Sequence, residues 1–318
     1  MDWNPQRLPD QTGRTIVVTG STAGIGYFAA EQLAGAGAEV VLAGRSAARI
    51  DAAAHAIRAR HPRAGLASVI VDLASLDSVA RAAETLARRD RVDGLLLNGG
   101  AMARWTSRTD DGLPLTLATH VVANVGLIVP LLPALARSGT PERASRIVHV
   151  SSGFVDRAPR LALREPLRTP RLGVRAYTHA KALTELLAFE LDARLRENGL
   201  PISSLVSRPG VGVDARTPER AGVHDATTPH RRNPYTPWAQ GKDAAAWSAV
   251  RALTDPAARG GELYAPVGGI AGPPVRVEPP AHTARPEAEV AAESWARIAE
   301  LARVDDPLTP ASGALSGD

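Results

Sequence analysis

The sequence predicts an α/β fold: a doubly wound parallel sheet, with helices on both faces, in one domain. Three observations predict it. Short β-branched runs alternate with longer stretches of helical period through the first 150 residues. The strand-like runs are nearly continuous in apolar residues, as suits strands covered on both faces. A glycine-rich turn joins the first run to the first helix candidate.

Taken in order, the strand candidates are residues 15–18, 39–42, 68–71, 95–97, 146–150 and 202–206. Each is rich in Val, Ile or Leu. Helix candidates fall near 25–36, 46–60, 76–89, 113–137 and 176–198. A last helix is expected over 286–303, where Trp295, Ile298 and Leu301 share a face. Residues 1–12 read as an N-terminal extension, 13–303 as the domain, and 304–318 as a flexible tail. Two irregular segments, 153–176 and 211–241, are rich in Pro and Arg or in Thr, Pro, His and Arg. Loops of this length inside a compact domain tend to be lids or substrate-binding segments.

Composition excludes several classes. The 318 residues contain no cysteine, so there is no disulfide framework, thiolate nucleophile or cysteine-bound metal. At 44% hydrophobic and 22% charged, the chain can bury a core. The net charge of +4 is spread among interleaved acids, which argues against a nucleic-acid partner. Of 37 basic residues, only Lys181 and Lys242 are lysines. The start of the chain lacks the basic-then-apolar order of a signal peptide, and the best apolar run, 121–135, is too short for a membrane span. A cytoplasmic protein without a membrane partner is expected. His224 and His230 lack metal-ligand spacing, and Gly241-Lys242-Asp243 is not a P-loop, so no metal is expected.

After the first strand comes Thr19-Gly20-Ser21-Thr22-Ala23-Gly24-Ile25-Gly26. Such glycines let backbone amides approach a pyrophosphate at a helix N-terminus. The second strand ends Leu42-Ala43-Gly44-Arg45, with no acid to hold ribose hydroxyls. Arg45 suits a 2′-phosphate, so NADP(H) is expected over NAD(H). Asp72, beside Leu73, could cap the next turn or accept from the adenine amino group.

The motif Tyr177-Thr178-His179-Ala180-Lys181 places a phenol and an ammonium on one helical face. Upstream stands Val150-Ser151-Ser152, and Arg208-Pro209-Gly210 follows the sixth strand. With the glycine loop, these residues make the chain resemble the short-chain dehydrogenases/reductases, compact Rossmann-fold oxidoreductases. The resemblance runs from about Thr12 to Arg303. The long interval from Ser152 to Tyr177, and the ending Gly272-Pro273-Pro274-Val275, are most similar to the retinol dehydrogenase and protochlorophyllide reductase branch.

The resemblance implies roles. Ser152, rather than Ser151, would hold the substrate oxygen, and Tyr177 would exchange the proton. Lys181 would favour the phenolate and bond the nicotinamide ribose. Gly20, Ser21, Thr22, Gly24, Ile25, Gly26, Arg45, Asp72, Leu73, Asn98, Gly99, Lys181, Pro209 and Gly210 would line the cofactor. The expected reaction is NADP(H)-dependent carbonyl reduction or alcohol oxidation on a bulky, largely apolar small molecule. A homodimer paired through the Tyr177 helix fits the family. Two alternatives stay open: an NADP-binding sensor that has lost turnover, and a dehydration, epimerisation or double-bond reduction on the same fold.

Three positions depart from the family. Asn98-Gly99-Gly100-Ala101 replaces Asn-Asn-Ala-Gly, losing a side-chain bond at Gly99. His120 falls where the family carries its catalytic Asn, on a gap-free alignment of Asp111-Gly112-Leu113 and Pro133, with Asn124 the runner-up one turn later. A histidine there would relay protons and titrate near neutrality. Asp214 replaces a Thr near the cofactor phosphates, an unfavourable charge, with Thr217 a substitute if the loop runs differently.

Overall fold

The computed structural model describes residues 3–157, 163–228 and 237–308. The masses of apolar residues form β1 (Thr15–Thr19), β2 (Glu39–Gly44), β3 (Leu66–Ile70), β4 (Gly94–Leu97), β5 (Ser145–Val150) and β6 (Ile202–Ser207). Between them run α1 (Gly24–Gly35), α2 (Ala47–Arg60) and α3 (Leu76–Ala87). A short α4 (Leu115–Leu117) passes through a π-turn (Ala118–Val122) into α5 (Ala123–Ser138). The long α6 spans Gly173–Glu197.

The sheet order is β3-β2-β1-β4-β5-β6-β7-β8, with β7 (Leu263–Pro266) parallel to β6 and β8 (Pro274–Val277) antiparallel at the edge. Winding reverses between β1 and β4, and the crevice at that switch is where such sheets bind ligands. The two-residue side-chain period of the strands builds both cores. Val17, Val41, Leu95 and Ile147 join the cluster formed with α3, α5, α6 and the late helix α10 (Ala288–Leu301). Ile16, Val18, Leu42, Leu96 and Val148 join the opposite cluster with α1, α2 and α8 (Trp247–Thr254). Burial of each such side chain stabilises the fold by about 1.5–3 kcal/mol.

Several details differ from the sequence reading. β3 is an edge strand with Ser68 and Ile70 exposed, so it is not covered on both faces. β7, β8, α7 (Lys242–Ala245), α8 and α9 (Ala281–Ala284) have no counterpart in that reading. The two extra strands are four residues each, and each pairs a proline with its neighbour, which masks their pattern. The fourth helix is longer than its apolar run: Leu115–Ser138 forms 24 continuous residues, long and apolar enough to cross a membrane by length and composition. Its most apolar window is 89% buried inside the fold, as for a core helix.

The first and last described residues also pack. Trp3 Nε1 donates to Thr254 Oγ1 at 2.9 Å, and the Gln11 amide donates to the Ala36 carbonyl at 2.8 Å. Asp306 accepts from Trp295 Nε1 at 2.7 Å and pairs with Arg194, so the tail is docked as far as residue 308. Of the expected irregular segments and tail, residues 158–162, 229–236 (with His230) and 309–318 lie outside the described residues. The described start of the second segment is anchored. Arg220 bridges to Glu31 on α1 at 2.6 and 2.8 Å and stacks over Phe28.

Candidate active site

The glycine loop turns between β1 and α1 with Gly20 and Gly24 at positive φ, +66° and +59°. A Cβ on Gly26 would lie 2.4 Å from the Gly20 carbonyl oxygen, so this turn closes only without side chains. A Cβ on Gly24 would meet nothing nearer than Lys242 Cδ at 3.7 Å, leaving open space above the start of α1. That combination of a tight turn, an open cradle and a helix N-terminus fits a dinucleotide pyrophosphate. Asn98 Nδ2 donates to the Thr19 carbonyl at 3.1 Å, and Thr19 Oγ1 accepts from the amides of Asn98 and Gly99.

The other expected cofactor residues surround this cradle. Arg45 is exposed at the end of β2, beside Gly44, whose added Cβ would meet Thr22 Cγ2 at 3.0 Å. Asp72 caps its own turn, accepting from the Ala74 amide at 3.0 Å. Leu73 fills the space beside Gly99, where a Cβ would lie 2.6 Å from Leu73 Cδ1. The turn therefore keeps its shape with a glycine at the family's Asn position. Gly210 adopts φ +68° against the Ile270 carbonyl, and the Pro209 carbonyl accepts from Gln240 Nε2.

Ser152, Tyr177, Lys181 and His120 meet at the carboxyl ends of β4 and β5. The Ser152 hydroxyl donates to the Tyr177 phenol, which lowers the phenol pKa, while burial outweighs it and holds the pKa above 10.0. Ser151 is fully buried and spends its hydroxyl on Glu185 at 2.6 Å, leaving Ser152 as the serine at the phenol. Lys181 Nζ donates to the Val150 carbonyl at 2.5 Å and lies 5.8 Å from the Tyr177 ring centroid. Burial pushes its pKa down to about 7, against the pull of Glu185 one helical turn later.

His120 packs edge-on to Tyr177, with ring centroids 5.5 Å apart. The π-turn sets this placement, and π-turns recur at functional sites. Both imidazole nitrogens are buried without a hydrogen-bond partner. Burial and the neighbouring Lys181 hold the imidazole pKa well below 6.5, so His120 does not titrate near neutrality as the sequence suggested. Asn124 turns back: its Nδ2 donates to the His120 carbonyl at 2.6 Å. Thr184 Oγ1 reaches the same carbonyl at 3.3 Å. His120, not Asn124, therefore stands beside the phenol.

The sequence reading missed two groups. Arg208 donates two hydrogen bonds to Glu185, at 2.7 and 3.0 Å, and two to Asp156, tying β6 to α6 and to the turn after Ser152. Glu185 is wholly buried, so this pair and Thr283 supply the hydrogen bonds its charge needs. The second group is Lys242, whose ammonium pairs with Asp214. Thr217 Oγ1 accepts the Lys242 amide at 3.0 Å, so its hydroxyl serves the loop. Asp214 is thus not a bare charge near the phosphates, because Lys242 neutralises it beside the glycine loop. The scarcity of lysine was the signal that could have singled out Lys242.

Fold and site together define a dinucleotide-binding α/β protein with a Ser, Tyr and Lys cluster at the switch point of its sheet. A short chain dehydrogenase family model matches residues 14–160. Mouse polyprenol dehydrogenase is 36% identical over 231 residues, covering 70% of this chain and 66% of that protein. A short-chain dehydrogenase/reductase of Emericella nidulans is 32% identical over 217 residues, 64% of this chain and 68% of that protein. Human retinol dehydrogenase 13 is 32% identical over 225 residues, 68% of this chain and 63% of that protein. The chain belongs to the short-chain dehydrogenase/reductase family, in its retinol dehydrogenase-like branch. It spans somewhat under two thirds of the length of the first of these relatives.

Solved structures agree. An uncharacterised protein of Mycobacterium paratuberculosis superposes with TM-score 0.74 at 26% identity, covering 97% of this chain and 100% of that one. A protein named as a short-chain dehydrogenase, from Escherichia coli CFT073 and solved with NADPH, gives TM-score 0.52 at 26% identity, covering 66% of this chain and 80% of that one. Members of the family bind NAD(P).

Proposed function

We propose that the protein is an NADP(H)-dependent oxidoreductase that interconverts a ketone or aldehyde and an alcohol on a bulky, largely apolar small molecule. The observation that carries this reading is the Tyr177 phenol hydrogen-bonded by Ser152, with the buried Lys181 beside it, next to the open glycine cradle. When bound, the dinucleotide supplies or accepts hydride. In the reductive direction, Tyr177 gives its proton to the carbonyl oxygen held by Ser152. In the reverse direction, Tyr177 takes the proton of the alcohol. Lys181, when protonated, favours the phenolate by its charge.

NADP(H) is supported by Arg45 at the end of β2, where no acid stands to hold ribose hydroxyls. An apolar substrate is supported by exposed side chains on segments leaving the carboxyl ends of β4 to β7. Met102, Trp105, Phe154, Leu172, Trp238 and Ile270 are all at least 40% exposed. Phe154 lies 6.3 Å from the Tyr177 ring, so this apolar surface reaches the reacting group. The alcohol-oxidising names of the mouse and human relatives point the same way. Residence in the cytoplasm and pairing of two chains through α6 belong to the same proposal; the absence of cysteine is in keeping with a reducing compartment.

The three altered family positions are each compensated locally: Leu73 fills in beside Gly99, glycine at 100 makes room for His120, and Lys242 neutralises Asp214. That removes the reason to prefer a binding-only protein. The test is a panel of hydrophobic ketones with NADPH and with NADH, products weighed by mass spectrometry. A gain of two hydrogens at the carbonyl and a preference for NADPH that Arg45→Ser abolishes support the reading. Cofactor binding without consumption on any carbonyl contradicts it.

A further inference from the structure

At the opposite end of the sheet, a cavity of about 570 Å3 opens beneath the amino ends of β1, β5 and β6. Four arginines line it: Arg14, Arg143, Arg146 and Arg259. None makes an ion pair with a carboxylate among the described residues. Arg14 is only 5% exposed, and its guanidinium bonds go to neutral oxygens: Gln11 Oε1 at 2.6 Å and the carbonyls of Leu253 and Asp93. Its Nε is buried with no partner. Arg146 likewise bonds only the carbonyls of Ala252 and Ala258.

Part of this arrangement has a plain structural purpose. The Ala252 and Leu253 carbonyls end α8, and cations stabilise helix C-termini. That accounts for Arg14 and Arg146. The exposed Arg259 spends one nitrogen, Nη1, on the Pro256 and Ala258 carbonyls, at 3.0 and 3.2 Å, and the exposed Arg143 lines the same cavity with no such helix end to serve. Two acids also line it. Asp10 is committed to the Thr12 amide and hydroxyl, at 2.9 and 2.7 Å, and Glu142 is exposed. Asp93 and Asp255 also act on Arg14 and Arg146 from outside the lining, but each is already paired, with Arg91 and with Arg251. Burial, Arg143 and Arg146 together push the Arg14 pKa down to about 10, against the pull of Asp93. Guanidinium donors gathered round a cavity, with one buried N–H unpartnered, form a donor set suited to an oxyanion.

We propose that this cavity binds a phosphoryl dianion, at a site separate from the glycine loop and at the opposite end of the sheet from Tyr177. Guanidinium forks match phosphoryl oxygens in pairs, and the volume suits a phosphate ester or pyrophosphate rather than a bare halide.

Calorimetric titration with pyrophosphate, orthophosphate, AMP and sulfate in chloride-free buffer tests the proposal. Thermal unfolding with and without each anion gives a second readout. One pyrophosphate or AMP per chain is expected, with a raised unfolding temperature. Arg143→Ser/Arg259→Ser, at exposed positions that leave the anion-free unfolding temperature unchanged, weakens binding by about tenfold or more. Arg45→Ser leaves it intact. AMP binding tighter than pyrophosphate marks a nucleotide ligand, and the reverse marks an inorganic one. Equal weak binding of all four anions, untouched by Arg143→Ser/Arg259→Ser, would mean an adventitious ion only and overturns the site. Loss of binding in Arg45→Ser instead places the anion at the glycine loop and also overturns it.

Discussion

The imidazole of His120 stands where a side chain at residue 100 would have to go: a Cβ on Gly100 would fall 2.0 Å from His120 Cε1 and 2.1 Å from Nδ1. Two departures from the family pattern are therefore one change. The wide ring on the π-turn needs a glycine opposite it. Gly100→Ala is expected to cost about 1–3 kcal/mol by overpacking. In a His120→Asn background the same substitution should cost far less, because the ring is gone. Chemical denaturation of the four proteins measures this coupling, and equal costs in both backgrounds would dissociate the two positions.

The same packing fixes how His120 takes part. With its pKa held well below 6.5 by burial and Lys181, the ring is neutral through the range in which a free imidazole titrates. His120→Asn should therefore remove no pH limb near 6.5 from the rate profile. Histidine NMR signals followed downward from pH 7.5 check the premise. A His120 resonance with a midpoint near 6.5 would contradict it.

Lys181 offers a clean spectroscopic target because the chain has only two lysines. Nitrogen-15 lysine labelling should give one ammonium that titrates near pH 7, with Glu185→Gln moving that midpoint lower, since Glu185 favours the charged form. The sign for stability follows. Between about pH 7 and the unfolded value of 10.5 the folded chain holds fewer protons at this site, so its contribution to stability rises with pH across that window. Lys181→Met should flatten that slope. A Lys181 midpoint near 10 would remove the effect.

How much of this was readable from the chain alone varies by residue. The strand order through β6 and the gathering of Ser152, Tyr177 and Lys181 were legible, because β-branched runs and i to i+4 spacing act locally. β7 and β8 were not, because four residues with a proline carry too little pattern. The partners of Asp214 and Glu185 were not legible either. Lys242 lies 28 residues from Asp214, and Arg208 lies 23 from Glu185, so only the folded chain brings them together. His120 was placed by alignment, but its low pKa depends on burial that no sequence pattern states.

Lys242 and Asp214 supply a further prediction on cofactor affinity. Lys242→Gln leaves the Asp214 charge uncompensated beside the glycine loop. It should weaken NADPH binding by roughly tenfold, the scale of one charge-assisted contact. Adding Asp214→Asn should restore most of that loss. Fluorescence titration of NADPH reads all three proteins. Unchanged affinity in Lys242→Gln would show that the pair serves only the loop.

The central claim is that Tyr177 carries the proton of a hydride transfer. The direct measurement is the single-turnover rate of NADPH oxidation with a hydrophobic ketone, in the wild-type protein and in Tyr177→Phe, beside the NADPH dissociation constant of each. Loss of a positioned general acid predicts a rate lower by about 10²–10⁴ in Tyr177→Phe with NADPH affinity unchanged. A Tyr177→Phe protein that turns over at the wild-type rate would contradict the account.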